Sequence, residues 1–180
     1  MRRHGFGAGD IAAITALVPP KVHWLVGRPD LPEPPANYAK LCLRFVAGGL
    51  LARGTVDVPD FRGAERLGDP AGHRHAGLVD VVLDDNSDQS ALDPQTISVC
   101  LTSGASHRIT LPDVYGHPAV PLTKVANGGK FRRCPDFAAA PLAAAPLSPG
   151  QDDALIAAVN RLENMMDVSA LMPLMCRGRA

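Results

Sequence analysis

The apolar positions of this chain repeat with two different periods. From Ile11 to Val18 nearly every residue is apolar, and Ile14, Thr15 and Val18 are β-branched. A run this short and this rich in branched side chains predicts a strand, ended by Pro19-Pro20. Leu78 to Leu83 predicts another. Gln95 to Thr102 alternates strictly, with Ile97, Val99 and Leu101 on one side and Thr96, Ser98 and Cys100 on the other. That pattern predicts a half-buried strand. Ser103-Gly104 marks a turn, and His107 to Val114, carrying Ile109 and Leu111, predicts the returning arm of a hairpin with a loop of about four or five residues.

The helical period appears between these strands. Asn37 is a residue that can cap a helix, and Leu41, Phe45 and Leu50 follow near helical spacing, widened by Leu43, Val46 and Leu51. Gly54 suits the position that closes it, so one helix is predicted over Asn37–Gly54. Gly48-Gly49 inside that helix costs about 1 kcal/mol each relative to Ala, which predicts close contact with another backbone. Short helices are expected near Pro59–Leu67 and Pro70–Ala76. Another is expected from about Thr123 to Arg133, despite Asn127-Gly128-Gly129. A last long helix opens on Ser148, Pro149 and Gln151, with Leu155, Val159, Leu162 and Met166 on one face; Asp167 begins a short final one before a basic tail. Between Pro29 and Pro35, four prolines in seven residues forbid regular structure, Asp84 to Pro94 is a polar loop, and Pro135 to Pro149 reads as a connector.

No internal repeat and no second core is visible. The 180 residues are therefore read as one domain, 1–180, of the α+β class, with a small mainly antiparallel sheet and helices on one side. With 46% hydrophobic residues the chain is globular, and two Tyr, one Trp and five Phe leave an aliphatic core. Eighteen basic residues balance eighteen acidic ones, which argues against nucleic acid or an anionic membrane as partner. The N-terminus has basic residues but no apolar run after them, so neither a signal peptide nor a membrane span is expected, and the cytoplasm is the expected location. Cys42, Cys100, Cys134 and Cys176 are scattered without a CxxC pair; buried free thiols are expected.

Familiar catalytic patterns are absent. Asp84-Asp85-Asn86-Ser87-Asp88 resembles a calcium loop, but Gln89 stands where that loop needs Gly and Gln95 where it needs a bidentate Glu. His73, His75 and His107 lack metal-ligand spacing, and no metal or cofactor is expected. No serine lies in a nucleophile-elbow context, and no glycine-rich nucleotide loop occurs.

Four segments in order carry a family resemblance: Val26-Gly-Arg-Pro29, the helix Asn37–Gly54 leading into Thr55-Val-Asp-Val-Pro-Asp-Phe61, Tyr115-Gly-His117 followed by Pro121-Leu122 and Lys130-Phe131, and Asp152 to Leu174. Together they resemble the C-terminal domain of the MmgE/PrpD family, which includes 2-methylcitrate dehydratase, cis-aconitate decarboxylase and iminodisuccinate epimerase. The resemblance implies a lid domain over a di- or tricarboxylate substrate. It also implies a partner, a helical domain supplying most catalytic groups; homo-oligomers are a further possibility. The chemistry implied is proton abstraction next to a carboxylate, then loss of water or carbon dioxide, or epimerisation. His117, Arg28 and Tyr115 are the candidate substrate contacts. The alternative for His117 is a turn histidine bonded to backbone, and for Arg28 a salt bridge. Phe45 departs from a Tyr carried by relatives and so offers no hydroxyl; Tyr115 or Tyr38 could stand in for it. The other reading of the chain is a non-catalytic interaction or carboxylate-binding module.

Overall fold

Strand β1 (Ile11–Val18) is the axis of the sheet. The computed structural model describes residue 1 and residues 4–138 and 150–175, the side chains of 135–138 excepted. It divides into two compact units, Met1–Pro121 and Leu122–Ala180. In the first, β2 (Val79–Leu83) pairs parallel with one side of β1, and β3 (Gln95–Leu101) antiparallel with the other. β4 (Ser106–Leu111) closes the hairpin on β3, so the sheet order is β2-β1-β3-β4. The sheet is mixed and mostly antiparallel, and the fold is α+β, as the sequence pattern predicts.

One face of this sheet is the core. Ala16, Val18 and Val81 are buried with Val22, and Val26, Leu43 and Ile97 pack against them. Val22 and Val26 belong to α1 (Pro20–Val26) and Leu43 to α3 (Leu43–Arg53), so these helices cover that face. Thr15 and Val82 point the other way and are exposed. Helix α1 is not anticipated by the sequence reading. Pro19-Pro20 does end the strand, but Pro20 then occupies the first helical turn, where its missing N–H is no loss and its fixed φ suits a helix.

The predicted helix Asn37–Gly54 is two helices, α2 (Ala36–Ala39) and α3. The break is at Cys42, whose backbone is extended (φ −113°, ψ 105°) and bridges to Gly27. The Cys42 thiol points at the carbonyl oxygens of Arg28 and Pro29, at 3.5 and 3.6 Å. A tertiary pairing thus overrides local helix propensity. Pro35, not Asn37, stands at the cap of α2, and Asn37 instead accepts a hydrogen bond from Lys40. Gly54 ends α3 in the left-handed region as expected (φ 77°).

The tight backbone contact expected at Gly48 is present. Helix α5 (Pro70–Ala76) crosses α3 there, and a Cβ on Gly48 would collide with the Gly72 carbonyl oxygen and lie 2.8 Å from the Ala76 nitrogen. A second cluster, Ala39, Cys42 and Phe45 with Tyr38, Phe61 and Leu67, fills the other side of α3. Phe61 ends a 3-10 turn (Val58–Phe61), and Leu67 ends α4 (Ala64–Leu67). Phe45 is therefore a core residue, set between Phe61 and His73 at ring distances of 6.0 and 5.9 Å. Cys42 is a buried free thiol as expected, whereas Cys100 and Cys134 are exposed, and Cys176 lies outside the described residues.

In the second unit, α6 (Lys124–Ala138) starts after Thr123, whose hydroxyl accepts the Ala126 N–H. It runs past the expected end at Arg133. Helix α7 (Gln151–Val159) follows Gly150; the expected cap at Ser148-Pro149, most of the connector and the basic tail lie outside the described residues. Because α7 stops at Val159, Leu162 falls in a 3-10 turn and Met166 is fully exposed, so the four-residue stripe is not one helix face. Asp167 caps the turn leading into α8 (Met172–Met175), as expected.

Candidate functional site

The β3–β4 register places Gln95 opposite Leu111. The residues just beyond this pair, Asp93 before β3 and Asp113 after β4, therefore meet at the open end of the hairpin. The chain then turns sharply through Tyr115-Gly116-His117. His117 N–H bonds to the Val114 carbonyl at 2.9 Å, and Gly116 N–H to that of Val120 at 2.9 Å. Gly116 has φ 100°, a conformation that a side chain would strain.

This turn holds two of the predicted site residues. Tyr115 is exposed. His117 has 43% of its side chain accessible. Its Nδ1 accepts the Ala119 N–H at 3.2 Å and lies 3.3 Å from Oδ1 of Asp113. One ring nitrogen of His117 and one carboxylate oxygen from each of Asp93 and Asp113 lie within 4.8 Å of one another. The histidine thus has the backbone bond of a turn residue and also an acidic setting that the sequence spacing did not reveal.

Arg28 stands in a different neighbourhood. Its Nε donates to the Leu25 carbonyl at 3.2 Å, and its guanidinium lies 5.4 Å from the centre of the Tyr38 ring. Among the described residues it pairs with no carboxylate, so it is not in the salt bridge considered for it. The Tyr38 hydroxyl is occupied by the Pro29 carbonyl at 2.8 Å. Among the described residues no hydrogen bond or ion pair links Arg28 to His117, whereas Tyr115 and His117 are two positions apart on one turn.

The proline loop is tied down by charge. Asp30 Oδ2 lies 2.6 Å from Nδ1 of His73 on α5. On the same helix pair, Arg53 lies between Asp60 and Asp69, at 2.9 and 2.6 Å. The sequence reading weighed His73 only as a metal ligand and passed over Arg53. Acids and bases 7 to 43 positions apart in sequence carry no local signal of pairing.

In the Asp84–Asp88 loop, Asp84 accepts the Asn86 N–H, Asn86 that of Asp88, and Asp88 that of Ser90, a run of side-chain-closed turns. Within the second unit, a groove of about 180 Å³ lies between α6 and α7, lined by Gly128, Phe131, Leu155, Ile156 and Val159 with Lys124 at its edge. Phe131 thus has a packing role beside exposed Lys130. No helix among the described residues is long and apolar enough to cross a membrane.

No curated protein matches the chain significantly. The family model for the MmgE/PrpD C-terminal domain matches residues 1–143, which cover the whole sheet, α1 to α5 and all of α6. This match spans most of the chain, and the chain belongs to the MmgE/PrpD family, as a C-terminal domain of it.

Proposed function

We propose that this domain is part of a lyase or isomerase acting on di- or tricarboxylates, with 2-methylcitrate dehydration, in propionate metabolism, as the type reaction. The observation that carries the reading is the family match over residues 1–143. In this reading a helical domain, on the same or a separate polypeptide in the cytoplasm, supplies the base that removes a proton next to a carboxylate. The present domain covers the substrate and donates hydrogen bonds to it. His117 and Tyr115 are the proposed contacts, because an exposed imidazole and an exposed phenol on one turn suit a carboxylate. Arg28 contributes through a separate surface, its Nη groups fitting a carboxylate bidentately while Nε stays on the Leu25 carbonyl.

The test is to combine this chain with a family helical domain and assay loss of water or carbon dioxide from a panel of di- and tricarboxylates. Turnover that needs both parts, and that drops about 10- to 100-fold in His117→Ala, supports the reading. Turnover unchanged in His117→Ala removes His117 from the site.

Phe45 favours the second reading, a carboxylate-binding or interaction module without chemistry. It is buried and has no hydroxyl to offer a substrate. Saturable carboxylate binding without turnover under any pairing would select that reading.

A further inference from the structure

We infer that β4 is a dimerisation edge, along which two copies of this chain pair antiparallel about a two-fold axis at Ile109. β4 ends the sheet, and all of its residues but His107 are exposed. Residues opposite each other on paired strands share a face, so Ile109, opposite Ile97, continues the apolar face that α1 and α3 cover. That cover stops short of β4. Ile109 is 56% exposed, and Leu111, two positions on, is 42% exposed. β4 has neither a proline nor a bulge to guard its edge, whereas the opposite edge, β2, carries the Asp80–Arg44 ion pair.

The backbone sets the register. The Leu101 N–H bonds to the Ala105 carbonyl, and the Thr102 N–H turns the other way, to Asp10. Odd positions of β3 therefore bond to β4. Because Val99 lies opposite His107 and Ile97 opposite Ile109, odd positions of β4 bond back. The N–H and C=O groups of Ser106, Arg108 and Thr110 are left pointing out of the edge. Two alignments overlap most of β4. An axis at Arg108 opposes two guanidiniums, which repel. An axis at Ile109 sets Arg108 opposite Thr110 of the second copy, and each such pair exchanges both backbone hydrogen bonds. Ile109 then meets its own twin as a non-hydrogen-bonded pair, the kind that brings side chains closer, and Leu111 faces His107 of the second copy. The one charge on this edge thus selects the alignment that joins the two apolar patches, and the edge is complementary to itself. The pairing is read from the sheet alone and does not depend on the reaction proposed above.

One strand edge and two apolar side chains from each copy make a small interface, so the dimer is weak. Sedimentation equilibrium of the full chain should show reversible dimers growing in between about 10 and 500 µM. A reductant is included because Cys100 and Cys134 are exposed. Ile109→Lys and Ile109→Glu, each alone, set like charges across the axis and should weaken the dimer about tenfold or more. An equimolar mixture of the two should restore it, because position 109 faces position 109 only in this alignment. Val82→Lys, at an exposed apolar position on the opposite edge, should leave association unchanged. Far-UV circular dichroism and a urea midpoint for each variant separate lost pairing from lost folding. A monomer throughout the range, dimers indifferent to the Ile109 variants, no recovery in the mixture, or an equal loss in Val82→Lys overturns the assignment.

Discussion

His73 and Asp30 hold the proline loop to helix α5 through a 2.6 Å contact from Nδ1 to Oδ2, while Nε2 of the same ring lies 2.8 Å from the Leu67 carbonyl oxygen. Both ring nitrogens face acceptors, an arrangement that favours the doubly protonated, charged ring. Burial alone would lower its pKa, but the Asp30 hydrogen bond, the Leu67 carbonyl and the charges of Asp30 and Asp69 outweigh it, and the pKa is raised above the ordinary 6.5.

A raised histidine pKa stabilises the fold fully below the unfolded value of 6.5, and that contribution fades as pH climbs through the higher folded value. The expected outcome is a wild-type advantage over His73→Gln that is largest on the acid side, about 1–3 kcal/mol, and shrinks toward alkaline pH. Urea midpoints of the two proteins between about pH 5 and 9 check it. A difference that stays constant across this range would show that the ring is not charged.

Gly48 and Gly49 are adjacent, yet they should respond differently to alanine. In an open helix either change would gain about 1 kcal/mol of helix propensity. At Gly48 the new methyl meets backbone of α5, the Gly72 carbonyl and the Ala76 nitrogen, so the helices must part. Gly48→Ala should cost roughly 1–3 kcal/mol. At Gly49 the methyl meets a side chain, the Arg53 guanidinium, so relief disturbs the Arg53 pairs with Asp60 and Asp69 without parting the helices. The cost of Gly49→Ala should therefore fall away when Arg53 is itself replaced, whereas that of Gly48→Ala should persist, and urea unfolding of the single and double variants checks it.

Arg53 should be the least replaceable charge among the described residues. Its Nε lies 2.9 Å from Asp60 Oδ1, an ion pair whose N–H is not aligned for a hydrogen bond, and its Nη1 bonds to Asp69 at 2.6 Å. The Asp60 side chain is only 10% accessible. Removing the arginine leaves that carboxylate enclosed and unpaired, at a cost of roughly 3 kcal/mol. Arg53→Met should show that loss in urea unfolding. Arg53→Lys should recover little of it, since one ammonium does not reproduce a fork that reaches two carboxylates.

These pairs also show what the sequence could and could not reveal. β1, β2 and the β3–β4 hairpin follow from residue periodicity and turn chemistry, which are local. Gly48 signalled its contact because two glycines in an apolar helix are locally costly. The break before α3 was hidden, since Cys42 is extended only because Gly27 pairs with it. The start of α1 went unread because Pro19-Pro20, which ends the strand as expected, is also a helix start. The acidic setting of His117 was invisible for a similar reason. It depends on register bringing Asp93 beside Asp113, and the polar-loop reading of Asp84–Pro94 gave no hint of it.

Thiol reactivity should divide the cysteines in the same way that burial does. Cys42 is 1% exposed, and burial pushes its pKa up, further aided by the nearby Asp30 charge, against backbone hydrogen bonds that pull it down. The thiolate is the reactive form, so Cys42 is protected both by access and by protonation. Cys100 on β3 and Cys134 on α6 are exposed. Iodoacetamide followed by peptide mass mapping should modify Cys100 and Cys134 in the native protein. Cys42 should lag them by about a hundredfold or more, the factor that a local opening of ~3 kcal/mol supplies. Because Cys42 forms the bridge to Gly27, its labelling rate reports the opening of that bridge, and it should rise in low urea before the sheet unfolds. Rapid native labelling of Cys42 would mean that the α2–α3 break is open in solution and that the Gly27 pairing does not hold it.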